Sequence, residues 1–266
     1  MKVGIVQLPS IGMSSTKFYK FVRIAQKKGV RVLLLGEYVL SSFFKELQEM
    51  PLSMIKEQST HQLKMIKELS KTYNMTIVAP LIVVKKKKIY KTVVKVSPNS
   101  IQYYDQQILI NYPHWNEEKF FDNEVKTLHS PLIFKIEEIK FAVLSGFELH
   151  FDALFEEISN KKVDVVLLPS VSTFESRKRW KELAKSRAFT HSTYILRANR
   201  IGEYVEKKDI VWNFYGDSFA INPYGEVEDD LLDSEELMIV EIDRKQTKDA
   251  RRLWGFNEAI NRRKDV

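Results

Sequence analysis

Hydrophobic residues along this chain change period repeatedly, from alternate positions to helical spacing and back. Residues 2–8 alternate and are rich in β-branched side chains, which predicts a strand. Within 16–28, Phe18, Phe21, Val22 and Ala25 fall three and four apart, the spacing of an amphipathic helix. The continuous apolar run at 30–35 predicts a strand covered on both faces. Leu63, Ile66 and Leu69 place one apolar stripe on a second helix at 57–73, and strands are predicted at 76–84, 89–96 and 100–104.

The second half repeats the style. Residues 141–144 and 163–168 read as buried strands with a helix at 151–159 between them; 180–190 reads as a helix and 194–199 as a strand. The last strands are expected at 219–222 and 237–242, around a turn that carries Asn222, Pro223 and Gly225. A charged, partly helical tail follows at 246–264. No linker, short repeat or break in composition divides the chain, so residues 1–266 are expected to form a single α/β domain, two sheets between helical layers.

Composition narrows the functions available. With 44% hydrophobic residues the chain has material for a substantial core, and disorder is excluded as a general description. There is no cysteine, hence no disulfide, no thiolate metal site and no cysteine nucleophile. No apolar stretch is long enough to span a bilayer, and the N-terminal apolar run is too short for a signal peptide. The expectation is a cytoplasmic protein without membrane contact. The net charge of +7 raises nucleic-acid binding, with Lys85, Lys86, Lys87 and Lys88 as its best support. Those lysines lie between two predicted strands, so a solvated hairpin tip accounts for them, and no nucleic-acid partner is expected. His61, His114, His129 and His191 lack ligand-like spacing with carboxylates; no metal and no cofactor are expected.

Four local patterns then occur in order. The strand at 2–7 ends in Gln7. A buried strand at 33–35 leads into Gly36, Glu37 and Tyr38. Arg187 and Ala188 are followed by Tyr194, Asn199, Arg200 and Gly202. Last come Tyr215, Gly216, Asp217 and Ser218, the 222–225 turn, Glu241, Asp243, Arg251 and Arg252. Together they resemble the carbon–nitrogen hydrolase (nitrilase) superfamily, from residue 2 to about 263. The resemblance implies a four-layer α-β-β-α sandwich, association through a helical face into a homodimer or larger assembly, and cleavage of amides or nitriles by a Glu–Lys–Cys triad.

Carried over residue by residue, the triad is incomplete. The glutamate falls on Glu37. The lysine pattern, Tyr-x-Lys-x-x-Leu, places Gln106 where lysine belongs. The nucleophile pattern, Cys-x-Asp/Glu-x-x-Phe, aligns with Glu148 and Phe151 and places Gly146 at the cysteine. Ser145, one residue earlier, would point to the opposite face if the strand continued. Glu118 matches the family's second glutamate stretch, beside Lys119. Tyr38, Tyr112, His114, Trp115 and Phe147 are expected near the pocket mouth, and His150 is expected to be structural. The expectation is a degenerate member that binds a small amide, amine or carboxylate, or serves as a regulatory subunit. The alternative is a rewired amidohydrolase with Glu37 as base and Ser145 or water as nucleophile.

Overall fold

The computed structural model describes residues 1–12, 14–207 and 210–263. The first sheet contains β1 (Lys2–Gln7), β2 (Val30–Leu35), β3 (Thr76–Lys85), β4 (Lys88–Ser97), β5 (Ser100–Asp105) and β14 (Glu236–Glu241). Its spatial order is β14-β1-β2-β3-β4-β5. The second contains β6 (Leu132–Ile136), β7 (Ile139–Val143), β8 (Val165–Pro169), β9 (Tyr194–Ala198), β12 (Phe219–Ile221) and β13 (Val227–Asp230), in the order β13-β12-β9-β8-β7-β6. The pairs β1–β2–β3 and β7–β8–β9 are parallel, and antiparallel strands complete each sheet. A separate hairpin joins β10 (Ile201–Lys207) to β11 (Ile210–Tyr215).

Strand alternation sorts the apolar run of β2 into two layers. Val32 and Leu34 join Val3, Ile5, Phe141, Val143, Val165 and Leu167 in the core between the sheets. Leu33 and Leu35 face the other way, against Phe18 and Val22 of α1 (Thr16–Lys27) and Ile66 and Leu69 of α3 (Leu52–Tyr73). On the far side, α4 (Asp152–Asn160) and α5 (Arg177–His191) cover the second sheet through Leu154, Phe155, Ala184 and Ala188. The layers are therefore α-β-β-α, as the resemblance implied. A short α2 (Phe44–Leu47) lies in the aromatic cluster that caps the site end, and α6 (Arg244–Trp254) and α7 (Phe256–Asn261) close the chain. Among the described residues no helix is long and apolar enough to cross a membrane.

Several expectations are corrected. The predicted helix at 57–73 begins at Leu52, because Pro51 occupies the position before the first turn. The turn at 222–225 joins β12 to β13, a strand the reading lacked, while the strand expected at 237–242 is β14, which pairs with β1 in the other sheet. The four lysines sit at a hairpin tip: Lys86 and Lys87, with φ of 49° and 65°, form the two-residue turn between β3 and β4. Positive φ at both central residues suits the twist of such a hairpin. Lys264, the end of the predicted tail, lies outside the described residues.

The parallel strands deliver the chemistry to one end of the sandwich. Gly36 follows β2 where a Cβ would stand 2.9 Å from the Asn199 carbonyl carbon, so β2 and β9 approach closely there. The Glu37 backbone N–H then donates to the Ser170 carbonyl at 3.0 Å, placing its side chain between the sheets.

Candidate active site

Glu37, Gln106, Ser145 and Gly146 converge at this end, and all are buried. The geometry departs from the expectation at three residues. Ser145 does not point away. It stands beyond the end of β7, at the entry of a single tight turn (Gly146–His150), so strand alternation no longer governs it. Its Oγ lies 3.0 Å from Glu37 Oε1 and 2.8 Å from Gln106 Oε1. The carboxylate supplied by the next segment is Glu117, fully buried; Glu118 is exposed and accepts from the Asn111 side chain at 2.7 Å. Tyr38 is interior rather than at a mouth: only 1% exposed, it donates from its hydroxyl to Glu117 Oε1 at 2.6 Å.

A lysine that the sequence reading missed completes the cluster. Lys91 of β4 is 3% exposed; its Nζ lies 2.6 Å from Glu37 Oε2 and 2.8 and 3.0 Å from the two Glu117 oxygens. Gln106, where the sequence reading looked for a lysine, carries no charge; the cation of this cluster comes from β4. The signal was period two: Lys91 shares its face with Val93, which lies in the core between the sheets.

Counting protons shows how this cluster is held. Gln106 donates from Nε2 to the Ile108 carbonyl at 2.7 Å, which turns its Oε1 toward Ser145. The Ser145 hydroxyl has one proton and two acceptors within reach. When it donates to Gln106, the contact with Glu37 is satisfied only if Glu37 is the donor. When it donates to Glu37 instead, an ionised Glu37 accepts from Ser145 and from the Gly146 N–H at 3.0 Å on Oε1 and faces Lys91 with Oε2; a protonated Glu37 leaves Lys91 facing one carboxylate, Glu117. Burial and the charge of Glu117 both raise the Glu37 carboxyl above its ordinary value, while Lys91 opposes them. Burial works against the charge on Lys91, but the two glutamates outweigh it and raise its pKa.

At Gly146 the space is already filled. A Cβ there would stand 2.6 Å from Ser170 Cβ, 3.0 Å from Ser170 Cα and 3.2 Å from Glu37 Oε1. Ser170 cannot easily give way. Its N–H donates to the Ala198 carbonyl at 2.8 Å, and its Oγ accepts from Arg197 Nε at 2.8 Å. Arg197 is itself fully buried, its guanidinium 4.8 Å from the Trp180 ring centre.

An open cavity of about 410 Å³ lies alongside. Phe147 and Val171, the residues that follow Gly146 and Ser170, line it with Trp115, whereas Glu37, Lys91, Gln106 and Ser145 do not. Tyr112 and His114 line it as well. His150 also lines the cavity, its Nδ1 2.9 Å from the Phe147 carbonyl oxygen.

Glu148 anchors the turn from below. It accepts from the Ser145 N–H at 2.8 Å, the Gln107 N–H at 2.7 Å and the Tyr104 hydroxyl at 3.0 Å. Burial nevertheless pushes its carboxyl up to about 7, against those bonds. The folded state thus holds this proton more tightly than the unfolded chain. The resulting stability is complete below the unfolded value and is lost as pH rises through about 7. Urea titrations of the wild type and Glu148→Gln at pH 4.5, 6 and 8 should show the wild type losing ground to the variant as pH rises. A difference that is flat across that interval, or that moves the other way, contradicts the assignment.

Residues 2–252 match the family model described as carbon-nitrogen hydrolase. The chain belongs to the carbon–nitrogen hydrolase family. Over 101 residues it is 32% identical to a deaminated glutathione amidase from Dictyostelium discoideum, covering 36% of this chain and 33% of that protein. Over 154 residues it is 27% identical to an N-carbamoylputrescine amidase from Arabidopsis thaliana, covering 52% and 50%. The matches thus span between a third and half the length of these curated relatives. A carbon-nitrogen hydrolase from Helicobacter pylori superposes with a TM-score of 0.83 at 19% identity, covering 96% of this chain and 94% of that one, a likeness of fold. Family membership and the α-β-β-α fold are therefore established for this hydrolase relative.

Proposed function

We propose that this member of the carbon–nitrogen hydrolase family does not hydrolyse amides and instead binds a small amide or carboxylate in the aromatic cavity, as a sensor or as a regulatory subunit. The observation that carries the reading is the filled space at Gly146. A nucleophilic side chain there would overlap Ser170 by its first carbon, before any reacting atom is placed. The neighbouring groups support it: at Glu37, where a general base should sit, burial and the charge of Glu117 raise the carboxyl pKa and favour the protonated form. A base must be deprotonated to act. The names of the curated relatives, both amidases, point to amides and the acids they yield as the ligand class. Self-association as a homodimer or larger assembly belongs to the same reading, supported by the exposed Leu253, Trp254, Phe256 and Ile260 at the C-terminal helices.

One observation favours a second reading. Ser145 Oγ and Glu37 Oε1 are 3.0 Å apart with the Lys91 cation on the other carboxyl oxygen, the elements of a rewired hydrolase. It ranks second because these groups are buried and line no part of the cavity where substrate would arrive. Ammonia or amine release from a panel of amides, nitriles, ω-amides and N-carbamyl compounds distinguishes the two. The expected result is no release above that of Glu37→Gln. Turnover present in the wild type and lost in that variant overturns the first reading.

A further inference from the structure

We propose that the aromatic cavity is an anion site selective for a small aromatic monocarboxylate, with the ring held among Trp115, Phe147, Phe174 and Trp180 and the carboxylate held by Arg179 at the start of α5. The proposal rests on the binding role above and gives that site a ligand class.

The walls first set the shape. Tyr112, His114, Trp115, Phe147, Phe174 and Trp180 all line the cavity, so a flat ring finds faces and edges to pack against. The rings already hold one another in place. His114 meets Phe174 edge to face with centroids 5.4 Å apart, and His150 meets Trp180 at 4.9 Å. A volume of about 410 Å³ accommodates one ring with a short side chain.

Charge then selects among flat ligands. No aspartate or glutamate lines the cavity. Arg179 does line it, and its guanidinium makes no ion pair among the described residues; its NH2 group donates only to the Glu175 carbonyl, at 3.4 Å. Ser176, which also lines the cavity, is the residue before the first turn of α5. That turn carries Arg177, Lys178 and Arg179, has no acidic residue, and has no side-chain cap. Three cations at the positive end of a helix oppose its dipole, where acidic residues are the stabilising choice. An incoming anion relieves that repulsion and gives the uncapped N–H groups an acceptor. Glu175, just before the cap, is exposed and is not part of the cavity wall.

An ammonium group finds no carboxylate in the cavity wall and meets the Arg179 cation instead, so the amine among the ligands first expected is disfavoured and the carboxylate retained.

Three probes with one ring in common test this: phenylacetate, phenylacetamide and phenethylamine, titrated calorimetrically into the wild type and into Arg179→Gln. Arg179 is exposed, so the variant should fold normally. Phenylacetate should bind at least about ten-fold tighter than either other probe, the scale of one charge-assisted hydrogen bond. Arg179→Gln should remove most of that preference while leaving phenylacetamide binding unchanged. Tighter binding of the amide or the amine, or an acid preference that survives Arg179→Gln, overturns the anion assignment and leaves the cavity as a ligand site. No binding of any probe overturns the cavity reading itself. Ammonia release from phenylacetamide overturns the non-hydrolysing reading instead.

Discussion

Lys91→Met should destabilise the protein by about 3–5 kcal/mol, measured by urea unfolding at pH 7. The lysine is the cation of a buried cluster that holds two carboxyl groups, Glu37 and Glu117, within 3 Å of its nitrogen. Removing one partner of a buried pair leaves the other charge without compensation, which costs far more than the pair contributes when intact. The two glutamates should respond differently. If Glu37 carries the proton, Glu37→Gln preserves both charge and shape and should cost no more than about 1 kcal/mol, the value of one ordinary hydrogen bond. Glu117→Gln removes the charged partner and should cost about as much as Lys91→Met. The double variant Lys91→Met with Glu117→Gln should be more stable than the sum of its parts implies, since neither charge is then left alone. Equal costs for the two glutamine substitutions would sink the assignment of the proton to Glu37.

How much of this was legible in the sequence depends on how local each signal is. The run at 30–35 announced a strand covered on both faces, and Val32 and Leu34 do face one core while Leu33 and Leu35 face another. Glu37, two residues beyond that strand's end, followed from the family resemblance carried by Gly36, Glu37 and Tyr38. The C-terminal strands failed for the opposite reason. Residues 219–221 and 236–241 are close in sequence, but one belongs to β12 and the other pairs with β1, more than two hundred residues away. No pattern within a window can carry that pairing.

The site itself divides in the same way. Glu117 and Glu118 are adjacent acids in an irregular segment with no period to say which side chain turns inward, and the inward one is Glu117. Lys91 was within reach: its parity with Val93 places it between the sheets, where a lone lysine demands a carboxylate partner. The family pattern directed attention to position 106, and Lys91 lies outside that pattern. Ser145 was misjudged because the strand ends at Val143, and two residues beyond a strand end alternation carries no information.

A cysteine placed at Gly146 should not confer turnover. Gly146→Cys should be destabilised by about 3 kcal/mol, the upper part of the range for overpacking a core, and should release no ammonia from the amide and nitrile panel. The first atom of the new side chain meets Ser170 Cβ at 2.6 Å and, behind it, a backbone atom at 3.0 Å. A rotamer change at Ser170 relieves neither contact, since Cβ and Cα do not move with χ1. Gly146→Cys combined with Ser170→Gly removes the nearer contact and should recover part of the lost stability, although Arg197 then loses the hydroxyl its Nε donates to. Even that variant should stay inactive. A thiol activated by Glu37 needs the carboxyl ionised, and burial and the charge of Glu117 raise its pKa. Glu37 and Ser145 also line no part of the open cavity, whose wall includes Phe147 and Val171. Turnover by the single variant would mean that a thiol is the one thing the site lacks, and would overturn the argument from the filled space at Gly146. Turnover appearing only when Ser170→Gly and Ser145→Ala are added together would place the block in the filled space and in the proton held on Glu37, each acting separately.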